Sequence, residues 1–245
     1  MAITMIAGGM QSKPVVFHVT HWKAGSQWIR AVLGAAAPRR VEVPGHDFAG
    51  PVEPGRIYTP FYASFERFRA VVPEQLSQRT FAVIRDPRDT AVSWYFSLRY
   101  SHRLDDPSVK ESRAILSRLS KVDGLALVIC NHLRDAVSIQ QSWLNAGAKI
   151  FRYEDLRLRA QESFAELFDY CELDVPERLR RKIVDRHRFE RRTWWRFGCQ
   201  SIRSHLRKAA PGDWKNHFCE RLKRLFKIHY GQILITAGYE RDECW

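Results

Sequence analysis

Nowhere in the 245 residues do two cysteines stand in CxxC spacing, and the five present, Cys130, Cys171, Cys199, Cys219 and Cys244, are scattered and odd in number. That pattern argues against a disulfide framework or a cysteine zinc site, and for a reducing, cytoplasmic compartment. No run of about 18 apolar residues occurs, so no membrane span is expected. No secretory apolar segment opens the chain either, and residues 1–12 read as a loose leader before the first strand. Acidic residues are scarce: 27 Asp and Glu stand against 40 Lys and Arg, a formal charge of +13. With no evident Asp/Glu cluster, a divalent metal has no obvious holder, and none is expected. The positive excess implies an anionic partner, of which nucleic acid, anionic lipid and a polyphosphorylated small molecule are the main classes. Basic residues crowd at 178–207 and 221–227, yet without a groove-reading helix or interleaved aromatics. Nucleic acid is therefore not expected, and each run can be a solvated helix face.

What is present describes one α/β domain spanning 1–245. Hydrophobic residues make up 45% and the mean hydropathy is −0.38, enough for a sizeable core. The stretch 15–33 organises the rest. Val15, Val16, Phe17 and Val19 form an apolar run, residues 21–25 a short turn, and Trp28, Ile29, Val32 and Leu33 recur at helical spacing. Strand, loop and helix in that order leave unpaired N–H groups at the helix start, where the macrodipole is positive, so an anion fits there. Lys23 can add a mobile ammonium, and Ser26 and Gln27 add donors. An ordinary connection with a solvated lysine fits this stretch alone equally well. A Walker A loop does not, because its lysine follows the second glycine, whereas Lys23 precedes Gly25.

A Pro/Gly-rich loop at 43–55 carries His46 and Asp47, residues 56–60 suggest a short strand, and 64–76 a helix broken by Pro73. Thr80–Ile84 reads as a buried parallel strand, ending in Arg85-Asp86-Pro87-Arg88-Asp89. A helix through Leu98 follows, with Asp89 or Thr90 as its cap. Arg85 at a strand end and Ser93 in the next helix suit a phosphate monoester, each charge-assisted bond contributing roughly 1.5–3 kcal/mol. A surface pair between Arg85 and Asp89 is the plain alternative. Beyond a polar, basic segment at 101–120, the spacing predicts one long amphipathic helix over 124–143. A strand at 149–153, helices at 160–171 and 176–184, and a last helix starting at Gly212-Asp213-Trp214 complete the pattern.

Three strings resemble the PAPS-dependent sulfotransferase family. Lys23-Ala24-Gly25-Ser26-Gln27-Trp28 is similar to its 5′-phosphosulfate loop, with Gln27 in a threonine position. Arg85-Asp86-Pro87-Arg88-Asp89-Thr90-Ala91-Val92-Ser93 matches its 3′-phosphate motif in residue type and interval. Residues 207–218, RKAAPGDWKNHF, resemble a further phosphate-binding string, departing at Ala209 where the family has glycine. The resemblance implies a P-loop-like three-layer α/β fold with a central parallel sheet flanked by helices. It also implies 3′-phosphoadenylyl sulfate (PAPS) as cosubstrate and in-line sulfuryl transfer to a hydroxyl or amine of a small-molecule acceptor, without a metal. Lys23 and the amides of Gly25, Ser26 and Gln27 would stabilise the leaving phosphate. Arg85, Ser93, Arg207, Lys208 and the amide of Ala209 would hold the 3′-phosphate, with Trp28, Tyr153 and Phe189 near the adenine. For the general base, cytosolic members use a histidine in a Lys-Thr-His string; here Tyr58-Thr59-Pro60-Phe61 has none, so His46, then Asp47, is the candidate. A non-catalytic nucleotide-binding protein of the same fold stays open, as does a homodimer. An ATP-dependent kinase is disfavoured by the lysine's place.

Overall fold

The apolar run near the head of the chain forms β1 (Val15–Thr20), and all of it is buried. A strand buried on both faces belongs inside a parallel sheet. β3 (Ile57–Phe61) and β4 (Gln78–Ile84) flank it in parallel, with β2 (Val41–Glu42) and β5 (Lys149–Arg152) outermost. The order is β2-β3-β1-β4-β5. The computed structural model describes residues 13–45, 48, 50–188 and 210–245. His46, Asp47, Phe189, Arg207, Lys208 and Ala209 lie outside them.

Alternation along the strands feeds two cores. Val16, Ile57, Phe81, Val83 and Phe151 face α1 (Ser26–Ala36), α8 (Ala160–Tyr170) and α9 (Glu177–Arg186). Val15, Phe17, Val19, Tyr58 and Ala82 face the other way, toward Phe68 of α2 (Phe65–Val71) and Ile139 and Trp143 of α6 (Arg134–Asn145). That sandwich is the expected layered α/β architecture. A third cluster lies among α3 (Pro87–Phe96), α4 (Pro107–Arg118), α5 (Lys121–Asn131) and α10 (Glu220–Thr236). A short helix, α7 (Tyr153–Leu158), follows β5 directly.

The helix expected over 124–143 is two helices. Leu125, Val128 and Ile129 of α5 pack among α3 and α10, whereas Ile139 and Trp143 of α6 pack on the sheet. One straight rod cannot present both stripes to cores on different sides, so the chain turns at His132 and Leu133. The last helix starts at Glu220, not at Gly212, because a 3₁₀ turn (Asp213–Asn216) intervenes. α3 is capped by Asp86, whose side chain accepts from the Arg88 amide, with Pro87 at the first helical position. Neither Asp89 nor Thr90 caps it. α5 meets α3 closely at Gly124, where an added Cβ would lie 2.6 Å from Cε2 of Tyr95. Gly124→Ala is expected to cost about 1–3 kcal/mol by overpacking, measured as a lowered urea midpoint with unchanged slope.

Candidate active site

In an open parallel sheet, ligands bind at the carboxyl ends of the strands, beside the switch in strand order. Here β1 and β4 end side by side at the centre of the sheet, and the two loops expected to hold phosphate leave from those ends. The first loop needs unusual backbone. Lys23 has φ +70° and Gly25 +84°. At Gly25 a side chain is excluded twice, by that φ and by Tyr153, whose ring would lie 2.8 Å from an added Cβ. Lys23 takes up a conformation that strains a side-chain-bearing residue, and such strain persists only where surroundings over-determine it. They do so here: Nη1 of Arg85 donates to the Lys23 carbonyl at 2.9 Å. Its neighbour His21 is buried, with Nδ1 2.9 Å from the Trp22 carbonyl and Nε2 3.1 Å from the Gln140 side chain of α6. Burial pushes the His21 imidazole down to about 4. It is neutral, and it serves as a strut between loop and helix.

The two cations from separate strings therefore meet. Burial first, then the Arg85 charge, pushes the Lys23 ammonium down to about 8. Its Nζ lies 5.5 Å from the Trp94 ring centroid, and the Arg85 guanidinium 4.5 Å from that of Tyr153. Among the described residues, the buried Nε of Arg85 has no hydrogen-bond partner. The plain alternative, an Arg85–Asp89 pair, does not form: Asp89 accepts instead from the amides of Gly212 and Trp214, at 2.7 and 2.8 Å. α1 begins without a side-chain cap. Among the described residues, the amides of Gly25, Ser26 and Gln27 donate to no protein group. Two positive side chains, orphan amides and an unsatisfied buried N–H make a cradle of the kind that suits an anion.

The remaining expected residues divide. Ala24 is buried, Gln27 is exposed, and Ser26 accepts from the Tyr62 hydroxyl at 2.8 Å. Ser93 is half-buried, near the end of α3. Trp28 is 7% exposed and Tyr153 4%; the two rings meet edge to face with centroids 6.1 Å apart. Both fill the space beneath the loop. Arg88 belongs to the scaffold: it forms an ion pair with Asp86 at 2.8 Å, another with Glu240 at 2.5 Å, and lies against the Trp214 and Trp245 rings.

Asp89 joins the second string to the third, because its carboxylate pins the Gly212–Trp214 turn that follows residues 207–209. Burial raises its proton affinity, while Arg85 and the two amides oppose that rise. Asp89→Asn turns one acceptor into a donor facing an N–H. A loss of about 1.5–3 kcal/mol is expected, read from denaturant unfolding.

Sequence reasoning missed several neighbours. Trp22 stacks on Tyr62 with ring centroids 5.3 Å apart, and Trp94, over which the Lys23 ammonium lies, has its ring centroid 6.1 Å from that of His102. The signal for Tyr62 was its position just past the end of β3; nothing in the string marked His102. Among the described residues, no group of three His, Cys, Asp or Glu could hold a metal ion, and no helix is long and apolar enough to cross a membrane.

Residues 70–237 match the model of the sulfotransferase domain. No curated protein matches the chain. Among solved structures, mouse sulfotransferase SULT7A1 complexed with PAP superimposes with a TM-score of 0.69 at 17% identity, over 94% of this chain and 87% of that one. Retinol dehydratase in complex with androsterone and the inactive cofactor PAP gives 0.58 at 14% identity, over 90% and 80%. At such identities these two establish the likeness of fold.

Proposed function

Since this chain belongs to the sulfotransferase family, we propose that it moves a sulfuryl group from PAPS to a hydroxyl or amine of a small-molecule acceptor, by in-line transfer. The observation that carries this reading is the meeting of Lys23 and Arg85 at the ends of β1 and β4, joined through the Lys23 carbonyl. The loop, with its lysine before its glycine, resembles the family's 5′-phosphosulfate loop, and the separate Arg85 string resembles its 3′-phosphate motif. The solved structures with this fold hold PAP, the nucleotide this reading requires as product.

The work of each residue follows from charge. As the S–O bond to the 5′-phosphate breaks, negative charge grows on the bridging oxygen. The Lys23 ammonium and the amides of Gly25, Ser26 and Gln27 are preorganised donors for that charge, and preorganised donors cost no rearrangement at the moment of reaction. Arg85 and Ser93, with Arg207, Lys208 and the Ala209 amide, are assigned to the 3′-phosphate. Trp28, Tyr153 and Phe189 are assigned to the adenine side, the first two as the wall behind the loop. No divalent metal is assigned a role. The free thiols of Cys130, Cys171, Cys219 and Cys244 suit a reducing, cytoplasmic setting.

A non-catalytic nucleotide-binding role is favoured by one observation, the lack of a histidine in Tyr58-Thr59-Pro60-Phe61, the region that corresponds to the Lys-Thr-His string of cytosolic members of the family. Incubation with ³⁵S-labelled PAPS and a panel of alcohols, phenols and amines separates the two. Labelled product supports the transferase; PAP binding with no labelled product on any acceptor supports the binding protein.

A further inference from the structure

We propose that Glu154 is a positioning residue for the 3′-phosphate: its carboxylate, held by Tyr239, seats the strand end that carries Arg85. The inference rests on the assignment of Arg85 to that phosphate and goes beyond it, because Glu154 and Tyr239 belong to none of the three phosphate-binding strings. The need for such a residue arises in the sheet. β4 and β5 pair in parallel as far as Ile84 and Arg152. There β5 stops, because the chain turns into α7 at Tyr153, and the backbone beyond Arg85 loses its strand neighbour. Oε1 of Glu154, from the first turn of α7, takes that neighbour's place and accepts from the Asp86 amide at 2.9 Å. Arg85 is thus fixed by the ladder before it and by Glu154 after it. Its guanidinium then lies over the Tyr153 ring and reaches the Lys23 carbonyl.

The other oxygen of Glu154 is held from near the end of the chain, where the Tyr239 hydroxyl donates to Oε2 at 3.1 Å. Burial, with the charges of Glu154 and Asp86, pushes the phenol well above its ordinary value, so it stays a donor. Burial also raises the proton affinity of Glu154, and the Asp86 amide and the Arg85 charge oppose that rise. The turn after α10 places Tyr239. Gly238 has φ +66°, the Tyr239 amide donates to the Leu234 carbonyl at 2.7 Å, and Arg152 donates to the carbonyls of Ala237 and Gly238. The next residue, Glu240, pairs with Arg88, which pairs in turn with Asp86. One C-terminal turn therefore holds Asp86 twice, at its amide through Tyr239 and Glu154, and at its carboxylate through Glu240 and Arg88. Glu154 and Asp89 both spend their oxygens on neutral donors, which leaves the Arg85 fork to a phosphate.

Glu154→Ala removes a negative charge beside an anion site, so an electrostatic role alone predicts tighter PAP. Positioning predicts the opposite sign. The Kd for PAP is expected to rise about 5–10²-fold, since only the seated fraction of Arg85 takes the 3′-phosphate. The Kd for adenosine 5′-phosphate, which lacks that phosphate, is expected to change less than about threefold. Glu154→Gln keeps an oxygen for the Asp86 amide and should recover most of the loss. Tyr239→Phe deletes one hydroxyl and keeps the ring; it should weaken PAP at least about threefold with adenosine 5′-phosphate unchanged, and it carries the test if Glu154→Ala does not fold. Calorimetry on both nucleotides reads all three variants. Unchanged or tighter PAP, parallel weakening of both nucleotides, or a glutamine no better than alanine overturns the proposal. A wild-type chain that does not prefer PAP to adenosine 5′-phosphate removes the assignment of Arg85 and the proposal with it, whereas a preference that survives in the variants removes Glu154 alone.

Discussion

Lys23→Ala is expected to lower sulfuryl transfer by about 10²–10³-fold, the usual cost of deleting one preorganised donor at a developing oxyanion. The loss falls mainly on kcat, because the charge that the ammonium meets grows only as the bond to sulfur breaks. A pH signature accompanies it. In the free chain Lys23 titrates near 8, below its ordinary value of 10.5, because of burial and then Arg85. The folded-state value is thus lower than the unfolded one. The charged form burdens the free fold below about pH 8, and that burden is relieved as pH rises from 8 toward 10.5. A bound dianion reverses the preference, so above pH 8 PAP binds with uptake of a proton. Its affinity is expected to fall with rising pH, by at most about tenfold per unit. Calorimetry at pH 7 and 9.5 checks this, and Lys23→Ala should flatten the slope. Transfer in Lys23→Ala equal to wild type removes the lysine from the mechanism.

Arg85→Ala is expected to raise the Kd for PAP by roughly 10²–10⁴-fold, if the guanidinium gives two charge-assisted bonds to the 3′-phosphate. Arg85→Lys should recover only part, since an ammonium lacks the planar fork. The control is adenosine 5′-phosphate, which has no 3′-phosphate. Arg85 also supports the Lys23 carbonyl, and a purely architectural role would weaken both nucleotides alike. Selective weakening of PAP, measured by calorimetry on both ligands, supports the phosphate role. Parallel weakening assigns Arg85 to the loop.

The parts legible in the sequence were those governed by local rules. β1 and β4 announced themselves as short apolar runs, and the spacing of Trp28, Ile29, Val32 and Leu33 gave α1. Lys23 stood out as an ammonium in the loop that opens α1, and Arg85 as a guanidinium at the end of a buried strand. What stayed hidden depended on distant partners. The break between α5 and α6 has no proline or glycine to mark it; it exists because Leu125 and Trp143 serve different cores. Asp89 looked like a helix cap, yet it reaches Gly212 and Trp214, more than a hundred residues on. Arg88 shares a motif with Arg85 but spends its charge on Asp86 and Glu240.

The most direct measurement is a crystal structure of the chain with adenosine 3′,5′-bisphosphate. The account predicts the 5′-phosphate on the Lys23 ammonium and the amides of Gly25, Ser26 and Gln27, and the 3′-phosphate on Arg85 and Ser93. A nucleotide seated away from the ends of β1 and β4, or one whose 3′-phosphate leaves Arg85 bonded to the Lys23 carbonyl alone, would contradict it.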